Sequence, residues 1–152
     1  MVSVAVSTTG KSPLIFVEQG VKLNSERYIS SLQNDMLPSK REQSGWRWTF
    51  QQAGAPSHRS AATVEFLRRN VPDFIEPQMW PPNSPDLNCV DYSIWGALQQ
   101  KVYKNRRIRD IGNLKAVLTD EWNRFPQDFI KNAVRQWRPR LQTCYDANGG
   151  HI

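Results

Sequence analysis

The first apolar pattern along the chain has a period of two. Val2, Val4 and Val6 alternate with small residues, Thr8 to Pro13 supplies turn chemistry, and Leu14-Ile15-Phe16-Val17 follows as a second β-forming run. Side chains alternate between faces along a strand, so residues 2–18 read as an antiparallel hairpin. The period then lengthens. Tyr28, Ile29, Leu32, Met36 and Leu37 recur at helical spacing behind Asn24 or Ser25, either of which can cap the helix, and Pro38 closes it. A charged loop, Lys40 to Gly45, leads to Trp46-Arg47-Trp48-Thr49-Phe50-Gln51, a strand rich in β formers. Ser57 is placed to cap a helix reaching about Asn70. Its expected apolar face is Ala62, Val64, Phe66, Leu67 and Val71, and a short strand follows at Phe74-Ile75.

The loop at 77–87 holds four of the ten prolines. Asn88 can cap the next helix, which carries Asp91, Ile94, Trp95, Leu98 and Val102. Two further helical stretches run from about Asp110 to Phe125 and from about Gln127 to Tyr145, the second kinked or broken at Pro139. The end, Asn-Gly-Gly-His-Ile, reads as a loop. The order β-β-α-β-α-β-α-α-α, in 152 residues without internal repeats, predicts one layered α/β or α+β domain.

Charge changes this picture at one end. The formal charge is +6, yet residues 1–100 hold nine basic and nine acidic side chains, and residues 101–152 hold eleven and five. The densest run is Lys101, Lys104, Arg106, Arg107 and Arg109, with no acid among them. Such a run is either a solvated helix end or a face for a polyanion, of which nucleic acid is the commonest. Cys89 and Cys144 form no metal-binding spacing, and His58 and His151 are the only histidines, which argues against a zinc site. Nothing suggests a disulfide scaffold, so a reducing compartment is expected. The start, Met-Val-Ser-Val-Ala-Val, is not a signal peptide, and no stretch approaches the roughly 20 apolar residues that span a bilayer. A soluble, non-secreted protein with no membrane partner is expected.

Two segments hold candidate chemistry. Gln51-Gln52-Ala53-Gly54-Ala55-Pro56-Ser57-His58 reads as a strand end, a tight turn and a helix start. Strand ends in α/β sheets are where sites form, although this corner is equally a structural one. His58 is either a capping or surface imidazole or part of a site. Residues 80–95 read Trp-Pro-Pro-Asn-Ser-Pro-Asp-Leu-Asn-Cys-Val-Asp-Tyr-Ser-Ile-Trp. Asp91 falls in the first helical turn, where a carboxylate complements the helix dipole or serves as a ligand. Asp86 is a turn residue with the same ambiguity. Trp80, Tyr92 and Trp95 either fill a core or stack on bases.

Together these segments resemble the catalytic core of mariner-type transposases, whose catalytic domain has a ribonuclease H-like fold. The resemblance covers nearly the whole chain. The hairpin 7–17, Gly20-Val21-Lys22-Leu23-Asn24 with Tyr28, Trp48-Thr49-Phe50-Gln51-Gln52, and the tail from Arg140-Leu141-Gln142 through Gly149-Gly150-His151 all fit. The resemblance implies a mixed sheet flanked by helices and three acids holding two divalent metals, magnesium or manganese. One metal activates a nucleophile and the other stabilises the leaving oxygen. Hard cations take oxygen ligands, so these positions call for carboxylates. It also implies DNA as partner, a possible homodimer, no small-molecule cofactor and a nuclear location.

By resemblance Asp91 is the third acid and metal ligand, and His58 joins Lys101, Lys104, Arg106, Arg107 and Arg109 as DNA-binding candidates. Ala53, 38 positions earlier, stands where the family reads Gln-Asp-Gly-Ala-Pro-x-His with a metal-binding Asp. A methyl cannot coordinate a metal. The chain also begins at what resembles the family's second strand, without the first strand and its acid or the upstream helix-turn-helix region. Cys89 replaces a usual proline. These departures imply a single partial, catalytically inactive domain that does not hold its metals productively. Ala53 is either natural decay or an engineered change. The alternatives are a non-enzymatic DNA-binding or assembly module, or a decayed fragment without function. A sheet lacking its first strand has a gap at its centre. The hairpin is therefore expected either to pair directly with the strand at 46–51 or to stay loosely attached.

Overall fold

A computed structural model describes residues 1–38 and 47–152. Trp46 and the expected charged loop, Lys40 to Gly45, lie outside the described residues. The chain divides into two compact units, Met1–Ser84 and Pro85–Ile152.

In the first unit the hairpin forms as two short antiparallel ladders. β1 (Val2–Ser3) pairs with β4 (Ile15–Phe16), and β2 (Val6–Ser7) pairs with β3 (Gly10–Lys11). Between them Ser12 N donates to Ala5 O at 2.8 Å, and Ala5 N donates to Ser12 Oγ at 2.9 Å. The buried Ser12 hydroxyl thus satisfies a backbone donor where the ladder is interrupted. α1 (Ser25–Ser31) starts at Asn24, whose side chain accepts from Arg27 N at 3.0 Å, so Asn24 rather than Ser25 is the cap. The helix widens into a π turn over Leu32–Met36, which hydrophobic spacing did not signal. Tyr28, Leu32, Met36 and Leu37 are its buried face.

β5 (Thr49–Phe50) runs parallel to β6 (Asp73–Phe74), and Ile75 N extends the pairing to Phe50 O at 2.9 Å. Between the two strands lie a one-turn α2 (Pro56–Arg59) and the longer α3 (Ala61–Asn70). Ser57 is not the cap expected of it. Pro56 has already begun a helical turn, the chain extends again at Ser60, and the Ser60 side chain accepts from Thr63 N. Ser57 is buried inside that turn, and its carbonyl accepts from the Thr63 hydroxyl at 2.7 Å. The shifted start turns Ala62 outward and buries Thr63 completely. Leu67 and Val71 join the α1 face in one core, against which Ala5, Ile15, Trp48, Phe50, Phe66 and Phe74 pack. Leu32 and Leu67 have no exposed surface, and burying such a side chain contributes about 1.5–3 kcal/mol. Among the described residues no ladder joins the hairpin to β5, so the direct pairing does not form. The hairpin is held instead by the packing of Ala5 and Ile15 on the core.

The second unit is helical. A 3-10 turn (Pro85–Leu87) precedes α4, which opens as a π turn (Val90–Ile94) and continues as Trp95–Tyr103. Asn88 caps it as expected, its side chain accepting from Val90 N at 3.0 Å. α5 (Ile111–Asn123) is capped by Asp110, which accepts from Asn113 N at 2.7 Å. The last helical stretch breaks at Gln136, not at Pro139, giving α6 (Gln127–Arg135) and α7 (Trp137–Asp146). Pro139 lies in the first turn of α7, where an amide has no intrahelical acceptor and its absence costs little. Leu87, Ile94, Leu98, Val102, Trp122, Phe125, Ile130 and Ala133 are the buried apolar residues of this unit. Among the described residues no helix is long and apolar enough to cross a membrane.

Candidate active site and basic surface

The corner after β5 is fixed by three side chains from different parts of the first unit. Tyr28, from α1, is 5% exposed, and its hydroxyl donates to Gln52 Oε1 at 2.9 Å. Gln52 Nε2 in turn donates to the His58 carbonyl at 2.9 Å. The His58 ring stacks on Tyr28 with centroids 4.0 Å apart, and its Nδ1 lies 2.8 Å from Ala53 O. A carbonyl oxygen only accepts, so Nδ1 carries the proton. Burial holds the His58 pKa below its ordinary value, and the bond to Ala53 opposes that shift in part. In the neutral ring Nε2 is then an acceptor. Trp80 closes the corner on another side, its Cδ1 lying 3.9 Å from where a Cβ on Gly54 would stand. The two sequence segments therefore meet at Gly54 and Trp80. What this frame presents at position 53 is a methyl.

Asp91 lies in the π turn that opens α4, with its amide donating to Asn88 O at 2.9 Å. Wide turns of this kind recur at functional positions. Asp91 is exposed, and desolvation by its surroundings raises its carboxyl pKa above the usual value. Two residues earlier, burial pushes the Cys89 thiol up to about 11, which leaves it protonated and unreactive at neutral pH. Tyr92, beside Asp91, donates from its hydroxyl to Ala133 O, and the Arg140 guanidinium sits 4.0 Å over its ring. Tyr92 is thus half-buried packing. Trp80 and Trp95 are half-buried too.

Asp86 has a role beyond that of a turn residue. Arg140 Nη1 donates to Asp86 O at 3.3 Å, and His151 Nδ1 donates to Asp86 Oδ2 at 3.1 Å. The tail from Arg140 to His151 is therefore tied to the turn that leads into α4.

The basic candidates share a short exposed stretch at the end of α4 and in the loop after it. Lys101, Lys104, Arg106, Arg107 and Arg109 are all exposed. Arg106 is paired with Glu121 at 2.7 Å. No ion pair forms on the other four among the described residues. Lys101 also sits in the last turn of its helix, where a cation complements the dipole. His58, grouped with these by resemblance, lies in the first unit and takes part in the corner.

A family description, DDE superfamily endonuclease, matches residues 1–115. The chain belongs to that family. It is 30% identical over 132 residues to the Transposable element Tc3 transposase of Caenorhabditis elegans, a match covering 86% of this chain and 39% of that protein. The chain thus spans well under half the length of that relative. Its fold is that of the Mos1 transposase catalytic domain solved with raltegravir and manganese, at a TM-score of 0.83 and 20% identity, covering 99% of this chain and 76% of that one. The Mos1 Strand Transfer Complex matches with a TM-score of 0.82 and 22% identity, over 99% of this chain and 43% of that one. The architecture of this DDE superfamily chain is accordingly the mixed α/β, ribonuclease H-like fold.

A two-metal centre is the site that the resemblance implies. Such a centre draws on several hard oxygen ligands. Among the described residues no three His, Cys, Asp or Glu side chains come together in a way that could hold a metal ion. Asp91, in the second unit, carries a carboxylate, and Ala53, in the first, carries a methyl that cannot ligate a metal. Sequence reasoning missed Tyr28, Gln52 and Arg140 as the groups that build the corner and the turn. Tyr28 and Gln52 are 24 positions apart, and neither carries a local signal of the other.

Proposed function

We propose that this chain is a transposase-derived, DNA-binding domain that does not cleave DNA. The observation that carries the reading is the methyl of Ala53 within a corner whose hydrogen bonds and ring stack are otherwise complete. On this proposal the corner once framed a carboxylate at position 53. In this reading Asp91 is the surviving acid. With one carboxylate, magnesium or manganese is not held in catalytic geometry, although Mos1 has been solved with manganese. Lys101, Lys104, Arg107 and Arg109 provide the electrostatic contact to DNA phosphates, and Arg106 shapes the loop. The Strand Transfer Complex of Mos1 supports a nucleic-acid strand, and so DNA, as the partner class, and pairing of two copies is part of the same proposal. A nuclear location is part of the same proposal.

The test is a nicking assay on supercoiled plasmid with magnesium or manganese. The expected outcome is no metal-dependent nicking above that of Asp91→Ala. Metal-dependent nicking that disappears in Asp91→Ala would overturn the inactive reading. Nicking gained by Ala53→Asp would assign the loss to that one carboxylate.

A further inference from the structure

Tyr103 is the last residue of α4 and is 51% exposed, immediately after Val102, which is 1% exposed. The helix buries Leu98 and Val102 and thereby turns Tyr103 outward. The chemistry around this ring is cationic. Lys101 and Lys104 flank it within two positions, Arg107 follows four positions on, and no acid lies between residues 101 and 109. The loop that holds these charges is fixed in two ways. Asn105 takes a left-handed conformation at φ 55°, which Asn tolerates, and turns the chain straight after the helix. Arg106 is paired with the largely buried Glu121 of α5 at 2.7 Å. Tyr103 thus stands at the end of α4 and the start of a held loop, within four positions of Lys101, Lys104 and Arg107, none of which forms an ion pair among the described residues.

We infer that Tyr103, with Lys101, Lys104 and Arg107, forms a stacking site for an unpaired base of single-stranded DNA. The inference rests on the DNA-binding reading of the basic surface and names which form of DNA that surface prefers. A base inside a duplex is covered on both faces by its neighbours, so an outward-facing ring cannot stack on it. A base in a single strand has a free face, and the flanking cations hold the phosphates on either side. Stacking of this kind tolerates any base, so preference is for strandedness rather than sequence.

The experiment compares fluorescence-labelled oligo-dT with a duplex of equal length, read by anisotropy for the full chain and its variants. Loss of one base–aromatic stack weakens binding by about five-fold or more. Tyr103→Ala is expected to lose at least about that factor on oligo-dT and less than about two-fold on the duplex, while Tyr103→Phe keeps both. Equal loss on both forms, or no loss on oligo-dT, overturns the stacking site. The triple variant Lys101→Gln, Lys104→Gln, Arg107→Gln is expected to weaken both forms. If it changes neither, the electrostatic reading beneath the proposal fails. If it weakens both while Tyr103→Ala weakens neither, only the stacking site fails.

Discussion

At the scale of single residues, His58 is held by three features of the fold at once. Its Nδ1 proton is committed to Ala53 O, its ring lies on Tyr28, and burial lowers its pKa. Protonation would therefore place a second proton, and a charge, on Nε2 in a half-buried setting. The sign of the pH dependence follows. The folded state binds this proton less readily than the unfolded chain, so the neutral ring contributes its full stability above the ordinary imidazole value of about 6.5. That contribution falls as pH drops below this value and levels off once pH is under the depressed folded value. Urea midpoints measured from pH 8 to pH 5 should decline for the native chain and decline less for His58→Phe, which keeps the stacked ring but does not titrate. Equal declines would remove His58 as the source. The sequence signalled His58 through its place in a motif, with a capping role as the alternative. Its true partners, a ring 30 positions earlier and a carbonyl five positions earlier, are set by how α1 packs under the corner, and no local pattern carries that information.

At the scale of elements, the start of α3 tests which serine performs the capping. Ser60 is extended and accepts from Thr63 N, whereas Ser57 lies within the preceding turn. Replacing a capping serine with alanine costs about 1 kcal/mol. Ser60→Ala should therefore lower unfolding free energy by about that amount, measured by urea titration, because it also removes the bond to the Thr63 hydroxyl at 2.9 Å. Ser57→Ala leaves its carbonyl in place to accept from Thr63 and should cost less. The reverse order would restore Ser57 as the cap. Both serines precede the same apolar run, and Pro56 is acceptable either before a helix or in its first turn, so the sequence pattern could not separate them. Pro139 was misread for a related reason. A proline marks a helix break only when it is interior, and the break at Gln136 places it in a first turn instead. The π turns in α1 and α4 left no trace either, since the same apolar residues serve both geometries. Element types and their order, by contrast, were legible, because burial on one face enforces a period of two or 3.6.

At the scale of the whole molecule, the charge asymmetry becomes a quantity that can be measured. The chain carries a formal charge of +6, and the excess lies beyond residue 100. Of the five cations in the 101–109 run, Arg106 is spent on Glu121, which leaves Lys101, Lys104, Arg107 and Arg109 for an external anion. Each duplex phosphate neutralised releases condensed counterions, and log affinity falls against log salt with a slope of about −0.9 per contact. Four contacts predict a slope of about −3.6 on duplex DNA, so raising salt from roughly 50 to 200 mM should weaken binding about 150-fold. Anisotropy titrations on a labelled duplex across that range would read the slope directly. Changing the four side chains to Gln should flatten it by about that same slope, whereas Arg106→Gln should change the slope little, because its charge is already paired. A slope near zero would mean that phosphates are not the partner of this surface. A full slope surviving in the four-Gln variant would move the contact to the remaining basic residues of the helical unit, Lys115, Arg124, Lys131, Arg135, Arg138 and Arg140. Among these Arg124 also pairs with Asp120, and Arg140 also donates to Asp86 O and lies over the Tyr92 ring.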